Sequence, residues 1–340
     1  TLVSPAWRAL LETAPPDPLT EYHLGVAQWH AGDLAPAVRS WERATTAPGA
    51  LDAARWPAPR APADARPAAR HHARAADRSP EPPADAPAAG ATSSELLAVV
   101  ASRALAGRRT VFAGIGLPTL AASLAHLTVA PGLEIVYESG VCGAHPAQLP
   151  ETIADAVLIT GAEAVLPMAT LFGAVLQGGH IDVGFLGAAQ IDRWGNLNSS
   201  VIGEWERPQV RLPGAGGAME VMANAREIFV VMRRHTPRSF TAELDFCTSP
   251  GPDRALADGI RPLGSGVTRV VTDLGLLERA GAGEELRLTA VHPGVTVDQV
   301  REATGWELAV ADEVAVIEPP SASELRLLRE DVDPGRVYLR

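Results

Sequence analysis

Glu138 stands where an apolar run, Leu133-Glu134-Ile135-Val136-Tyr137, gives way to Ser139-Gly140. Open α/β sheets form their crevices beyond the carboxyl ends of strands, so a carboxylate there is placed for chemistry as a nucleophile or base. The alternative is a salt-bridged carboxylate at a strand end, a common structural device. Two glycine clusters are candidates to work beside it. Phe112-Ala113-Gly114-Ile115-Gly116-Leu117-Pro118 follows a predicted strand and opens a predicted helix, so Gly114 and Gly116 permit a tight turn next to unpaired helix amides. The dinucleotide fingerprint needs a third glycine and an acidic residue further on, and here Leu117-Pro118 intervenes, so no nicotinamide cofactor is expected. In Gly214-Ala215-Gly216-Gly217 the backbone amides can close on a ligand or a developing oxyanion; the same residues also serve as a flexible connection before a helix over 219–225.

Other polar groups have simpler readings. Ile191-Asp192-Arg193-Trp194-Gly195-Asn196-Leu197-Asn198 has the Asn and Gly placement of a polar hairpin, and turn chemistry accounts for Asp192, Asn196 and Asn198 without a ligand. His180 reads as a structural hydrogen bonder. Cys142, His145, His235 and Cys247 fall into no metal-ligand spacing, and no metal is expected.

The elements that must position these groups follow from periodicity. Short apolar runs at 110–113, 134–137, 156–159, 182–186, 228–232, 267–272 and 286–290 predict strands; helices are predicted at 93–106, 118–128, 166–177, 296–304 and 321–331. Strands alternating with helices argue for an α/β domain over residues 93–340, an open mostly parallel sheet with flanking helices. Residues 51–92 are dominated by Ala, Pro, Arg and Asp, too poor in large apolar side chains to offset chain entropy, and read as a disordered linker containing a solvated His71-His72 pair. Residues 1–50 carry Tyr22, Leu24-Gly25, Trp29, Gly32, Ala37, Trp41, Ala44 and Pro48 in two amphipathic stretches, a pattern resembling one tetratricopeptide repeat, a helical hairpin. A single repeat cannot bury its own face, so this segment either docks on something or is a remnant.

Composition narrows the function. The formal charge of −11, with no lysine, weighs against a nucleic-acid partner, which needs clustered cations. No apolar run approaches the roughly 20 residues that cross a bilayer, and no secretory signal is apparent. Two cysteines in 340 residues fit a reducing compartment, and a cytoplasmic location is expected.

Taken together, Tyr137-Glu138-Ser139-Gly140, Gly178-Gly179-His180-Ile181-Asp182, Leu186-Gly187-Ala188-Ala189-Gln190-Ile191-Asp192, Gly195-Asn196-Leu197-Asn198 and Gly214-Ala215-Gly216-Gly217-Ala218 resemble the β subunit of class I coenzyme A transferases, nearest the glutaconate branch. The likeness runs from about residue 94 through Thr248-Ser249-Pro250-Gly251 to the end. It implies that Glu138 is a nucleophile forming a glutamyl-coenzyme A thioester during transfer of coenzyme A from an acyl-coenzyme A to a free acid, with ping-pong kinetics. Under it Gly216, Gly217, Gly114 and Gly116 become oxyanion and coenzyme-loop candidates, and Gln190, Asn196 and Asn198 substrate-side candidates. Many relatives have serine where this chain has Ala215, so a hydroxyl contact is not expected there. The resemblance further implies coenzyme A thioester as substrate, no permanently bound cofactor, and a separate α subunit completing the site. Two other readings stay open: an acyl-coenzyme A hydrolase or ring-opening enzyme on the same fold, and a non-catalytic metabolite-binding module. A sugar-phosphate isomerase would need a phosphate pocket that the sequence does not identify.

Overall fold

In the computed structural model the chain divides into two compact units, Thr1–Arg78 and Ser79–Arg340. The structure describes residues 90–144, 146 and 149–339, and in the first unit Glu21, Leu24, Gln28, Pro36, Ala37, Arg39, Ser40, Glu42 and Arg43. These N-terminal residues are helical. Ser40 Oγ donates to Gln28 Oε1 at 3.0 Å and Arg43 pairs with Glu21 at 2.8 Å. The tetratricopeptide pattern otherwise rests on residues outside those described, and residues 51–89 of the 51–92 linker, with His71 and His72, and His145 lie outside them too.

The second unit begins with a signal the local chemistry explains. Thr92 accepts from the Glu95 amide while the Glu95 carboxylate accepts from the Thr92 amide, a reciprocal cap that starts helix α1 (Ser93–Arg103). Strand β1 (Thr110–Phe112) leads into α2 (Leu117–Leu127), and β2 (Glu134–Val136) is followed by the short strands β3 (Val141–Cys142) and β4 (Ala164–Val165). Helix α3 (Met168–Thr170) runs on into a π turn, Leu171–Leu176. After β5 (Val183–Leu186) come two hairpins, β6 (Gln190–Ile191) with β7 (Leu197–Asn198) and β8 (Val201–Gly203) with β9 (Pro208–Arg211). Helix α4 (Ala218–Asn224), β10 (Glu227–Met232), α5 (Pro252–Ala257), β11 (Val267–Thr272), β12 (Gly275–Glu278), β13 (Arg287–Val291), α6 (Val297–Glu302), β14 (Ala309–Val316) and α7 (Ala322–Arg326), extended by a second π turn Leu327–Val332, complete the chain.

Ten strands form one sheet in the order β14-β13-β12-β11-β10-β5-β1-β2-β3-β4. The stretch β11-β10-β5-β1-β2 is parallel throughout; antiparallel pairs lie toward both edges. The expected α/β architecture with a mostly parallel sheet and flanking helices is the one observed. Leu97, Val111, Leu120, Leu124, Ile135, Val183, Phe185 and Phe229 belong to one buried core, and β5, buried on both faces, runs through its centre. At Gly184 a β-carbon would come within 2.4 Å of Val221 and 2.9 Å of Ile228, so the missing side chain is what lets α4 lie down on β5.

One strand reading is corrected. Residues 156–159 form a 3₁₀ turn, because the Asp155 carboxylate accepts from the Val157 amide and caps the segment, leaving Ile159 exposed. The helix expected at 166–177 is present but as α3 and its π turn.

The helices flanking the sheet are cross-clamped. Glu95, which caps α1, pairs with Arg329 at 2.6 Å; Glu324, which caps α7 in the same reciprocal manner, pairs with Arg103 at the end of α1 at 2.7 Å. The Arg329 guanidinium holds the Glu95 carboxyl below the usual range.

His235, just beyond β10, stacks on Phe240 at 3.6 Å, and its ring nitrogens meet the hydroxyls of Thr272 and Thr304. Burial pulls its pKa from 6.5 down to about 3. The folded protein therefore keeps this ring neutral at a pH where the unfolded chain takes up a proton. Its contribution is complete above pH 6.5 and is lost as pH falls toward about 3. Guanidinium unfolding at stepped pH is expected to show stability falling below pH 6.5 with a slope of up to ~1.4 kcal/mol per unit from this proton, and His235→Gln is expected to flatten that slope.

Candidate active site

The turn that carries Glu138 is set by Gly140. The Gly140 amide donates to the Tyr137 carbonyl at 2.9 Å and the Tyr137 amide to the Val141 carbonyl at 2.9 Å, so Glu138 and Ser139 occupy the tip of a tight connection between β2 and β3. Gly140 has φ +96°, and a β-carbon there would fall 1.9 Å from the Leu166 carbonyl oxygen. Only glycine meets both conditions.

Glu138 is half-buried and lies on the wall of a cavity of about 880 Å³. The opposite parts of that wall come from the ends of three parallel strands and their following loops: Gly114, Gly116 and Leu117 after β1, Leu186 to Ala189 after β5, and Val231 to Arg234 at the end of β10. Gly116 caps α2 with φ +107°, and the Thr119 hydroxyl donates to the Gly114 carbonyl at 2.9 Å, which fixes this loop at the cavity edge.

The glycine run between β9 and α4 closes the remaining side. Ser199 accepts from the Gly214 amide through its carbonyl at 2.9 Å and donates its hydroxyl to the Gly214 carbonyl at 2.8 Å, pinning the loop's start. A β-carbon at Gly216 would lie 3.7 and 3.9 Å from the two Glu138 oxygens, and one at Gly217 would lie 3.2 Å from Oε1 and 2.7 Å from the Phe172 ring. A side chain at 217 would therefore press on both the Phe172 ring and the carboxylate. Among the described residues no acceptor takes the Gly216 or Gly217 amide. Glu138, Phe172, Met168, Gly216 and Gly217 also line a second hollow of about 430 Å³, so the carboxylate stands between two spaces.

The structure brings Glu138, Gly114, Gly116, Gly216 and Gly217 together. It does not bring Gln190, Asn196 and Asn198 to the cavity. The Asn198 amide group donates to Gln190 Oε1 and to the Val201 carbonyl, and its oxygen accepts from the Ser200 and Val201 amides. Gln190 Oε1 also accepts from the Asp245 amide. Asn196 donates to Asp192 at 2.7 Å and accepts from the Gly251 amide at 2.7 Å. All three are buried, and these bonds occupy them in holding the hairpins together. Residues not singled out from sequence complete the two spaces: Phe172, in edge contact with Phe112 at 6.0 Å, on the smaller hollow, and the pair Arg233-Arg234 on the wall of the larger cavity.

Comparison with known proteins places this arrangement. Residues 95–303 match the family described as Coenzyme A transferase, and the chain belongs to that family. It is built as the β half of such an enzyme: it is 43% identical over 241 residues to the B subunit of the 3-oxoadipate CoA-transferase of Pseudomonas knackmussii, covering 70% of this chain and 92% of the relative. It is 31% identical to the B subunit of the glutaconate CoA-transferase of Acidaminococcus fermentans, over 73% of this chain and 95% of that one. The crystal structure of the glutaconate enzyme matches with a TM-score of 0.69 at 29% identity, covering 74% of this chain and 98% of that chain. A cholesterol ring-cleaving hydrolase IpdB subunit from Rhodococcus jostii is 33% identical over 64% of this chain and 84% of its own length. Among the described residues no helix is long and apolar enough to cross a membrane.

The close approach at Gly217 gives a steric test. Its backbone, φ −83° and ψ 5°, suits any residue, so Gly217→Val acts only through its side chain against Phe172 and Glu138. Steady-state assay of coenzyme A transfer is expected to show roughly a 100-fold loss, with the melting temperature nearly unchanged, and Phe172→Ala in the same chain is expected to restore part of the rate.

Proposed function

We propose that this chain, joined to an α subunit, transfers coenzyme A from an acyl-coenzyme A to a free carboxylic acid through a covalent intermediate on Glu138. The observation that carries the reading is the glycine loop, whose Gly216 and Gly217 pack beside a half-buried carboxylate at the edge of a large cavity and whose amides have no acceptor among the described residues.

A Glu138 oxygen attacks the thioester carbonyl, the C–S bond breaks, and coenzyme A leaves as thiolate from a mixed anhydride. The thiolate then attacks the glutamyl carbonyl, expelling the donor acid as carboxylate and leaving a glutamyl-coenzyme A thioester. The acceptor carboxylate attacks that thioester, releases the thiolate and forms a second anhydride. Attack of the thiolate on its acyl carbonyl yields the new acyl-coenzyme A and restores Glu138. Each addition develops an oxyanion, for which the Gly216 and Gly217 amides are the donors on this side of the site. Splitting one exchange into these steps predicts ping-pong kinetics. Coenzyme A enters and leaves as substrate, and no other cofactor takes part. The names of the relatives favour a dicarboxylic or 3-oxo acid. Their designation as B subunits supports an α partner contributing to the pocket.

Similarity to the ring-cleaving hydrolase subunit favours hydrolysis as the second reading. The chain co-expressed with its α partner, incubated with acyl-coenzyme A and reduced with borohydride, is expected to carry the Glu138 side chain as an alcohol, one oxygen lighter and two hydrogens heavier. The Glu138→Ala complex is expected to lack it, and Glu138→Gln to lose at least about 1,000-fold in rate. Thioester loss to water with no modified glutamate would instead establish the hydrolase. Neither signal across an acyl-coenzyme A panel would leave a metabolite-binding module.

A further inference from the structure

The cavity beside Glu138 is lined mainly by glycine and apolar groups. Its charged lining residues are Glu138, Arg233 and Arg234. The two arginines differ in their engagement. Arg233 is drawn toward α1, where its Nη1 donates to the Ser94 hydroxyl at 2.6 Å. The Arg234 guanidinium has no hydrogen bond or ion pair among the described residues.

The backbone under Arg234 is held from both sides. Its carbonyl accepts from the Ser239 hydroxyl at 3.0 Å, and the next residue, His235, donates its amide to Asp273 at 2.8 Å and buries its ring against Phe240. Arg234 is exposed at the rim of this cavity on a clamped backbone, and its uncommitted planar cation is available to a carboxylate, which a guanidinium grips with two parallel bonds. Glu138 reacts with one carboxyl group of the acid; a second anionic group on the same acid would otherwise meet an apolar wall, at a desolvation cost.

We infer that Arg234 binds the distal carboxylate of the substrate acid, making this a dicarboxylate-selective site. This rests on the assignment of Glu138 as the reacting group and on the dicarboxylic class that the relatives favour, and adds the residue that reads the second carboxylate. The same guanidinium chemistry suits a phosphate of coenzyme A, so the test separates the two anions.

The complex of this chain with its α partner would be assayed as wild type, Arg234→Leu and Arg234→Lys, with acetyl-coenzyme A as donor and adipate or hexanoate as acceptor. Wild type is expected to prefer adipate, Arg234→Leu to lower the adipate-to-hexanoate ratio of kcat/KM roughly 10- to 100-fold, mostly through KM, and Arg234→Lys to recover part of it. A second measurement does not depend on turnover: calorimetric binding of adipate is expected to be lost in Arg234→Leu and kept in Glu138→Gln. Retention of adipate binding in Arg234→Leu would overturn the inference even if Glu138 proved not to be the nucleophile. An unchanged acid ratio would overturn it too, as would absence of a dicarboxylate preference in wild type. A rate loss seen with acetyl-coenzyme A but absent with acetyl-pantetheine, which lacks the nucleotide phosphates, would assign Arg234 to coenzyme A instead.

Discussion

The site depends on one close approach, that of the Gly140 backbone to Leu166. The Gly140 carbonyl accepts from the Leu166 amide at 2.8 Å while its α-carbon leaves no room for a side chain before the Leu166 oxygen. The contact joins the tip between β2 and β3 to the segment entering α3. It thereby fixes where the chain turns after Tyr137, and so where Glu138 projects. The same segment carries Phe172 into contact with Phe112, and Phe172 in turn backs the Gly217 side of the glycine loop. Carboxylate, aromatic support and loop are thus positioned through a chain of contacts that starts at a residue with no side chain.

Much of this is legible in the sequence for identifiable reasons. The central parallel strands read correctly because both of their faces are largely buried and their apolar runs are nearly continuous, as in 228–232. β14 escapes a reading by periodicity because it is an edge strand with no buried residue, and its run of alanine and valine is broken by the exposed Asp312 and Glu313. β12 is a four-residue strand whose Gly275 sits against the Ala290 carbonyl, a packing need that only its neighbour reveals. Residues 156–159 have the composition of a strand, and a single aspartate cap decides otherwise.

At the site, Glu138 and the glycines are readable because strand-end position and absent side chains are themselves sequence features. Gln190, Asn196 and Asn198 are not separable from ligand-binding groups, since an amide side chain looks the same whether it ties a hairpin or touches a substrate. Phe172 gives no signal, because its role follows from a π turn and from what stands across from it. Arg233 and Arg234 do carry a signal: they follow the predicted strand over 228–232 directly, the same strand-end logic that singles out Glu138.

Gly184 extends this logic below the floor of the cavity. Because α4 rests on β5 through that gap, the height of the glycine loop above the sheet is set by a contact one layer beneath it, against Val221 and Ile228. The loop and the carboxylate are carried by separate elements, yet both take their datum from the same central strands. The spacing between the Glu138 carboxylate and the glycine loop is therefore a property of sheet thickness, and core volume at this position acts as a screw adjustment on the width of the gap between them.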